Sequence, residues 1–165
     1  MRREILVAAA LVTGLVTSAA ADGIENAREA KRFQETKWTL VLTLKEVEPE
    51  VVRSLKARFG RDDRLADRGE PFETSEVLTR RPGRRFLLAG RAGKRWFVAY
   101  EKGGRTPQVV LTVVEAEPVP RVVLLARGRA GSQSEGADWE VELEDLKDAL
   151  RERRLFLEEP KSPYY

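Results

Sequence analysis

Four apolar segments follow one another through the middle of the chain, and the links between them are short. The segments cover residues 84–89, 95–101, 108–116 and 121–127. Each link contains glycine or proline, the residues that favour tight turns. Parallel neighbouring strands need a crossover of about a dozen residues or more, and these links are too short for one. The sequence therefore predicts an antiparallel meander over this region.

Two further strands are predicted before the meander. Residues 38–45 alternate in polarity, which places Trp38, Leu40, Leu42 and Leu44 on one apolar face. Residues 72–79 form a shorter and weaker apolar segment. The predicted sheet thus has five or six strands.

Three segments have the helical spacing of apolar residues and are expected to flank this sheet. The first is 22–36, with Ile24, Ala27, Ala30 and Phe33 near one face. The second lies between Pro49 and Gly60, a proline at the start and a glycine after the end being typical of a helix. The third is 138–154, where Trp139, Leu143, Leu146 and Leu150 recur at helical intervals. The predicted fold class is α+β, an antiparallel meander sheet with flanking helices.

The first 21 residues have the three-part layout of a secretory signal. Arg2 and Arg3 precede an uncharged segment, and Ala19 to Ala21 has the small side chains that signal peptidases require. The uncharged residues 5–21 fall short of the ~20 apolar residues of a membrane-spanning helix. Cleavage after Ala21 is therefore favoured over the alternative, a retained anchor, and the protein is predicted to be periplasmic or secreted.

The remaining residues, 22–165, have the length of a single domain. Within it, the glycine- and serine-rich residues 128–137 are predicted to form a flexible loop. Residues 155–165, which follow the predicted C-terminal helix, are interpreted as a tail. No stretch after the signal is predicted to span a membrane.

The composition excludes several kinds of active site. The chain has no cysteine and no histidine. A cysteine nucleophile, a serine–histidine pair and a zinc site of cysteine and histidine are therefore impossible. Asp62, Asp63 and Asp67 lack the glycine and the distal glutamate of a calcium loop. We therefore expect no metal, no cofactor and, on balance, no enzymatic activity.

The second predicted strand of the meander, 95–101, is apolar on both faces. Trp96 and Tyr100 should point to one side and Phe97 to the other. An antiparallel sheet with one face in water would alternate between apolar and polar residues. Both faces must therefore be covered, either by the helices and the C-terminal segment Leu155 to Leu157 with Tyr164 and Tyr165, or by a ligand or another protein. Trp96, Phe97 and Tyr100 are thus candidate ligand-binding residues.

Positive charge is concentrated in the meander. Residues 84–131 carry ten arginines and lysines against three glutamates, whereas residues 132–165 carry five cationic and ten anionic side chains. Arginines at strand ends also serve to solvate a sheet and to prevent edge pairing. As a binding feature, the meander would contact anionic material, and Arg85, Arg95, Lys102 and Arg105 are the candidate residues. The overall charge, +3, is too balanced to favour nucleic acid.

Three functions follow in order of preference. The first is an exported, non-enzymatic binding or interaction domain that holds an apolar molecule or a protein partner against the sheet. The alternative is a peripheral binder of anionic envelope material, lipid headgroups or acidic polysaccharide, through the basic meander. The third is a hydrolase with a pair of carboxylates, which requires two close acids and a raised pKa on one of them.

Overall fold

The computed structural model describes residues 24–60, 64–73, 81–104, 108–129 and 141–158. These residues form one antiparallel sheet of six strands with helices packed on it, which confirms the predicted α+β fold. Neighbours in the sheet follow chain order, as in a meander. The strands are β1 (Thr39–Val41), β2 (Arg84–Ala92), β3 (Arg95–Lys102), β4 (Gln108–Glu115), β5 (Arg121–Gly128) and β6 (Leu155–Glu158).

Within the described residues, three α-helices and one 3-10 turn accompany the sheet. The helix α1 covers residues 24–35, α2 is Pro49–Lys56 and α3 is Leu143–Arg151, while the 3-10 turn is Leu44–Glu46. As predicted, α2 begins with Pro49 in its first turn. The helix α3 begins with a capping box, in which the Glu142 N–H donates to the Asp145 carboxylate at 2.9 Å.

One face of the sheet packs against α1 and α3. Its core contains Phe33 from α1, Phe97 from β3 and Leu146 from α3, all buried. The ring of Phe97 meets Phe33 and Trp38 edge-on at centroid distances of 5.4 and 5.1 Å. We call this side the α1/α3 face.

The opposite face packs against α2. Its core contains Val51 and Leu55 from the helix, with Trp96 and Tyr100 from β3. We call this side the α2 face. Consecutive residues of β3 therefore belong to two separate hydrophobic cores, as the sequence predicts, and the chain's own helices supply cover on both sides.

The predicted first strand is wrong in its length and in its apolar face. Only Thr39–Val41 is a strand, because the chain turns into the 3-10 segment after Thr43. Leu40 and Leu42 are exposed. Trp38 packs against the α1/α3 face and Val41 against the α2 face. The short edge strand and the residue before it thus contribute to different cores, and simple alternation along the sequence does not reveal this.

The predicted buried face of the first helix is wrong in its first turns. Ile24 and Ala27 are exposed, whereas Ala30 and Phe33 are buried as expected. Asn26 is buried in their place. The side of the helix that faces the sheet therefore differs, in its first turns, from the side that the apolar spacing predicts.

The last strand, β6, falls in the segment that we interpreted as a tail and as a cover for one face. It pairs antiparallel with β5, with Leu125 opposite Glu158 and Gly128 opposite Leu155. Residues 155–158 thus extend the sheet sideways, and only Leu155 among them is buried.

Several predictions fall wholly or mostly outside the described residues. They concern the signal segment 1–21, most of the strand 72–79 and of the loop 128–137, and the start of the helix 138–154 with Trp139. The tail beyond Glu158, with Tyr164 and Tyr165, also lies outside the described residues. These stay predictions; within the described part of 138–154, the helix is Leu143–Arg151.

Candidate functional site

The candidate binding residues do not form one site. Trp96, Tyr100 and Lys102 belong to the α2 face, because Trp96 and Tyr100 pack in its core and Lys102 lies two positions further along the same strand. Phe97 belongs to the α1/α3 face. Arg105 lies outside the described residues. The three aromatic side chains are buried in the hydrophobic cores, where each packs against the protein itself.

Arg95 is held inside the fold by acids from two other elements. Its guanidinium contacts Glu29 on α1 and reaches Glu115 on β4 at 3.9 Å. Glu115 also binds Arg121 at 2.7 Å. Since Arg95 is itself buried, this ion-pair network attaches α1 to the sheet. Its geometry is that of a structural contact.

Arg85 is likewise committed to an internal contact. Its Nη2 donates to the Glu101 carboxylate at 3.0 Å, and its guanidinium lies 4.6 Å from the centre of the Phe72 ring. Burial raises the pKa of the Glu101 carboxyl, while Arg85 opposes that rise. A hydrolase would need an acid with a raised pKa, but the Glu101 residue is only 5% exposed.

A different set of cations is brought together at one end of the sheet, where β2 begins and β3 and β5 end. Arg84 lies opposite Lys102, and Lys102 lies opposite Gln108. Since Val109 pairs with Gly128, Gln108 continues the line toward Arg129. We call this region the basic end; its cations are Arg58, Arg84, Lys102, Arg127, Arg129 and Arg154.

Backbone and side-chain contacts fix the shape of the basic end. The Arg129 N–H donates to the Arg154 carbonyl at 3.1 Å, which joins the strand ends of β5 and β6. The Arg84 guanidinium lies 4.3 Å from the centre of the Phe59 ring and donates to the Phe59 carbonyl at 3.1 Å. Adjacent strands lie about 4.8 Å apart, so Arg84 and Lys102 are direct neighbours, whereas Gln108 on β4 separates Lys102 from Arg129.

The like charges at the basic end influence one another. Burial lowers the pKa of Lys102, and Arg127 and Arg84 lower it further, while Glu158 partly opposes them. Burial raises the pKa of Tyr100 despite Arg84, Arg127 and Arg58 around it. An anion placed beside Lys102 would relieve this repulsion.

The cations at the opposite end of the sheet are neutralised. Lys94 binds Glu117 at 2.5 Å, Arg121 binds Glu115 at 2.7 Å and Arg91 reaches Glu48 at 3.4 Å. At the basic end, Arg127 binds Glu158 at 2.8 Å and Arg154 binds Glu152 at 2.7 Å. Within the described part of the chain, the side chains of Lys102 and Arg129 have no ion-pair partner.

Sequence reasoning found Lys102 but missed that Arg84 and Arg127 lie near it and that Arg129 and Arg154 lie at the same end of the sheet. The signal was present as the excess of arginine at strand ends, which we interpreted first as solvation of the sheet. The convergence depends on strand register and on β6.

Among the described ranges, no three acidic side chains are grouped as metal ligands. None of the helices that the structure describes is long and apolar enough to cross a membrane.

Comparison of the chain with protein-family models, curated proteins and solved structures finds no match.

Proposed function

We propose that this protein is a non-enzymatic binding domain that takes anionic ligands along the basic end of its sheet. The observation that carries the proposal is the convergence of Arg84, Lys102, Arg127 and Arg129 from three strands and their flanks. Lys102 and Arg129 have no ion-pair partner among the described residues, in contrast to the cations at the opposite end. Several cations gathered at one end of a sheet are suited to a ligand with several negative charges.

The shared chemistry of the ligand is a series of phosphate or carboxylate groups. If residues 1–21 direct export, as the sequence predicts, such groups occur on lipid headgroups and acidic polysaccharides of the cell envelope. An exposed aromatic side chain, Phe156 on β6, lies two positions after Arg154 and opposite Arg127. It offers an apolar contact next to the charges.

The preferred expectation from the sequence, an apolar molecule or a protein held against the sheet, stays a prediction. Its motivation was the need to cover both apolar faces. Because α1, α3 and α2 already pack on those faces, that need no longer argues for an external apolar ligand. Two cations of the basic end, Lys102 and Arg129, have no comparable partner in the described part of the chain.

A charge-matched pair of double variants tests the proposal. Lys102→Gln with Arg129→Gln removes two charges at the basic end, and Lys94→Gln with Arg121→Gln removes two at the opposite end. At about 1 kcal/mol for each cation near an anionic surface, the first variant should weaken binding about 30-fold. The second should change it less than about threefold, since those cations are already paired.

Two probes distinguish the ligand sources. Binding is measured by co-sedimentation with phosphatidylglycerol vesicles and by calorimetry with soluble polygalacturonate, each over a series of salt concentrations. We expect binding that weakens as salt rises. Binding to neither probe, binding that ignores salt, or equal losses in the two variants would refute the proposal.

A further inference from the structure

The strand β6 forms one edge of the sheet and carries exposed apolar side chains. Phe156 is 68% exposed, and Leu157 is also exposed. Among the described residues, β6 pairs with β5 and with no other strand. Exposed strand edges with apolar side chains are ready to pair with another chain, and proteins usually protect them with charge or proline. This edge therefore needs an explanation.

The sequence around β6 is complementary to itself in charge. Arg153 and Arg154 precede the strand, and Glu158 ends it. When two copies of such a segment run antiparallel, the cationic start of one copy lies beside the anionic end of the other. A register centred on Phe156 places the two Phe156 residues opposite each other, Leu155 opposite Leu157, and Arg154 opposite Glu158.

Each of these cross-strand pairs is favourable. Aromatic pairs and opposite charges stabilise neighbouring strands. Phe156 and Glu158 share one side of β6, and Arg154, just before the strand, continues the same alternation. The existing Arg154–Glu152 contact, at 2.7 Å, joins two exposed side chains and is easily exchanged. Glu158 would lie between Arg127 of its own copy and Arg154 of the other.

The other edge of the sheet also exposes an apolar side chain, Leu40, but it lacks this length and this charge complementarity. The strand β1 has only three residues, and Lys37 and Lys45 flank it with the same charge. The remainder of the β2 edge is already occupied, because Ala66 exchanges backbone hydrogen bonds with Arg84 and Phe86 at 3.0 and 2.9 Å. Charge complementarity thus points to β6 as the edge that pairs.

From this, we infer that the partner of the β6 edge is a second copy of this chain, joined by antiparallel pairing about Phe156. The inference does not rest on the proposed anion binding. It extends the meander from six strands to a continuous sheet across two copies.

Sedimentation equilibrium of the full chain over a range of concentrations tests this pairing. We expect a monomer–dimer equilibrium in the wild-type protein. Phe156→Lys should weaken dimerisation at least about tenfold, because it places two like charges at the centre of the pairing. The matched control is Val119→Lys, since Val119 is 71% exposed but lies in the β4–β5 turn. It should dimerise like the wild-type protein.

A mixing experiment tests the antiparallel register. Arg154→Glu gives copies with acids at both ends of β6, and Glu158→Lys gives copies with cations at both ends. Each variant alone should dimerise poorly, and an equimolar mixture should form dimers again. Circular dichroism checks that both variants are folded.

The outcomes separate this inference from the proposed function. A wild-type chain that stays monomeric, equal dimerisation of Phe156→Lys and Val119→Lys, or a mixture that fails to restore dimers would overturn the β6 pairing. Anion binding is tested with separate variants, at Lys102 and Arg129, so either proposal can fail while the other holds.

Discussion

At the scale of single residues, the meander buries an ion pair, and this burial changes the pKa of its acid. Glu101 on β3 lies opposite Arg85 on β2 in the strand register, and the two side chains form an ion pair. Glu101 is buried, so water stabilises its carboxylate poorly. Burial is the main cause that raises the pKa of Glu101 above its ordinary value of 4.5, and Arg85 only reduces this rise.

The raised pKa predicts a dependence of stability on pH. The folded chain holds the Glu101 proton more tightly than the unfolded chain does. Its contribution is present in full below the unfolded pKa of 4.5 and is lost as pH rises through the folded pKa. Relative to Glu101→Gln, the free energy of unfolding of the wild-type protein should therefore fall as pH rises above 4.5. Urea titrations at several pH values measure it.

Glu117 provides a control of opposite sign. Its hydrogen bond with Lys94 lowers its pKa, so its contribution is lost as pH falls instead. The pair is fully exposed, and the effect of Glu117→Gln should accordingly be small. Parallel pH profiles for the wild-type protein and Glu101→Gln would show that Glu101 has no shifted pKa.

The sequence predicts some of these residue positions and not others. Alternation along β3 correctly assigns Trp96 and Phe97 to opposite faces, because side chains in a strand follow a period of two. Arg95 was interpreted as a surface cation. Its burial depends on Glu29, which lies 66 positions earlier in the chain. A contact between residues so far apart in the sequence leaves no local pattern from which it could be predicted.

Among the elements, β6 depends on a glycine in its neighbour. A Cβ atom built on Gly128 would collide with the backbone carbonyl of Arg154 and crowd the Leu155 backbone. The absence of a side chain thus lets the chain return from α3 and join the sheet beside β5. We interpreted this glycine as the start of a loop, whereas it ends a strand and permits the next one.

Gly128→Ala should therefore separate the start of β6 from β5. We expect a loss of roughly 1–3 kcal/mol in the free energy of unfolding, as for other overpacked sites. Hydrogen exchange at the Arg129 amide should accelerate, because that N–H donates to the Arg154 carbonyl. Denaturant titration and amide exchange measure the two effects.

Gly69 offers a comparison for this variant. It has a φ of +78° with open space around it, so Gly69→Ala introduces backbone strain without a collision. Exchange at Arg129 should be unchanged in Gly69→Ala. Equal acceleration in both variants would mean that the approach of β6 does not depend on Gly128.

Element prediction from the sequence was good where a strand lies inside the sheet and poor at its edges. The four central strands agree with the apolar segments to within a few residues. The edge strands β1 and β6 do not, because an edge strand has one neighbour and exposes side chains such as Leu40 and Phe156. Apolar alternation measures burial, and burial is incomplete at an edge.

On the scale of the whole molecule, one sheet separates two hydrophobic cores, and several cationic side chains lie at one of its ends. The cations of the basic end lie between positions 58 and 154 in the sequence. Most of them meet because alternate connections of a meander lie at the same end of the sheet. The sequence predicts an excess of positive charge in this region, but only the register places Arg84 beside Lys102.

The shared sheet predicts that the two cores unfold together. Phe33→Ala empties part of the α1/α3 face and Leu55→Ala part of the α2 face; both side chains are fully buried. Each should reduce the free energy of unfolding by about 2–5 kcal/mol. Because every central strand contributes to both cores, each variant should still unfold in one transition.

Tryptophan fluorescence and far-ultraviolet circular dichroism, followed in the same urea titration, test this cooperativity. Coincident curves are expected for both variants, and Leu42→Ala, at an exposed position, should change stability by less than about 0.5 kcal/mol. An earlier transition confined to one probe in Leu55→Ala would mean that α2 leaves the sheet independently. In that case the α2 face would open while the α1/α3 face stayed folded, and Trp96 and Tyr100 would become accessible to a ligand.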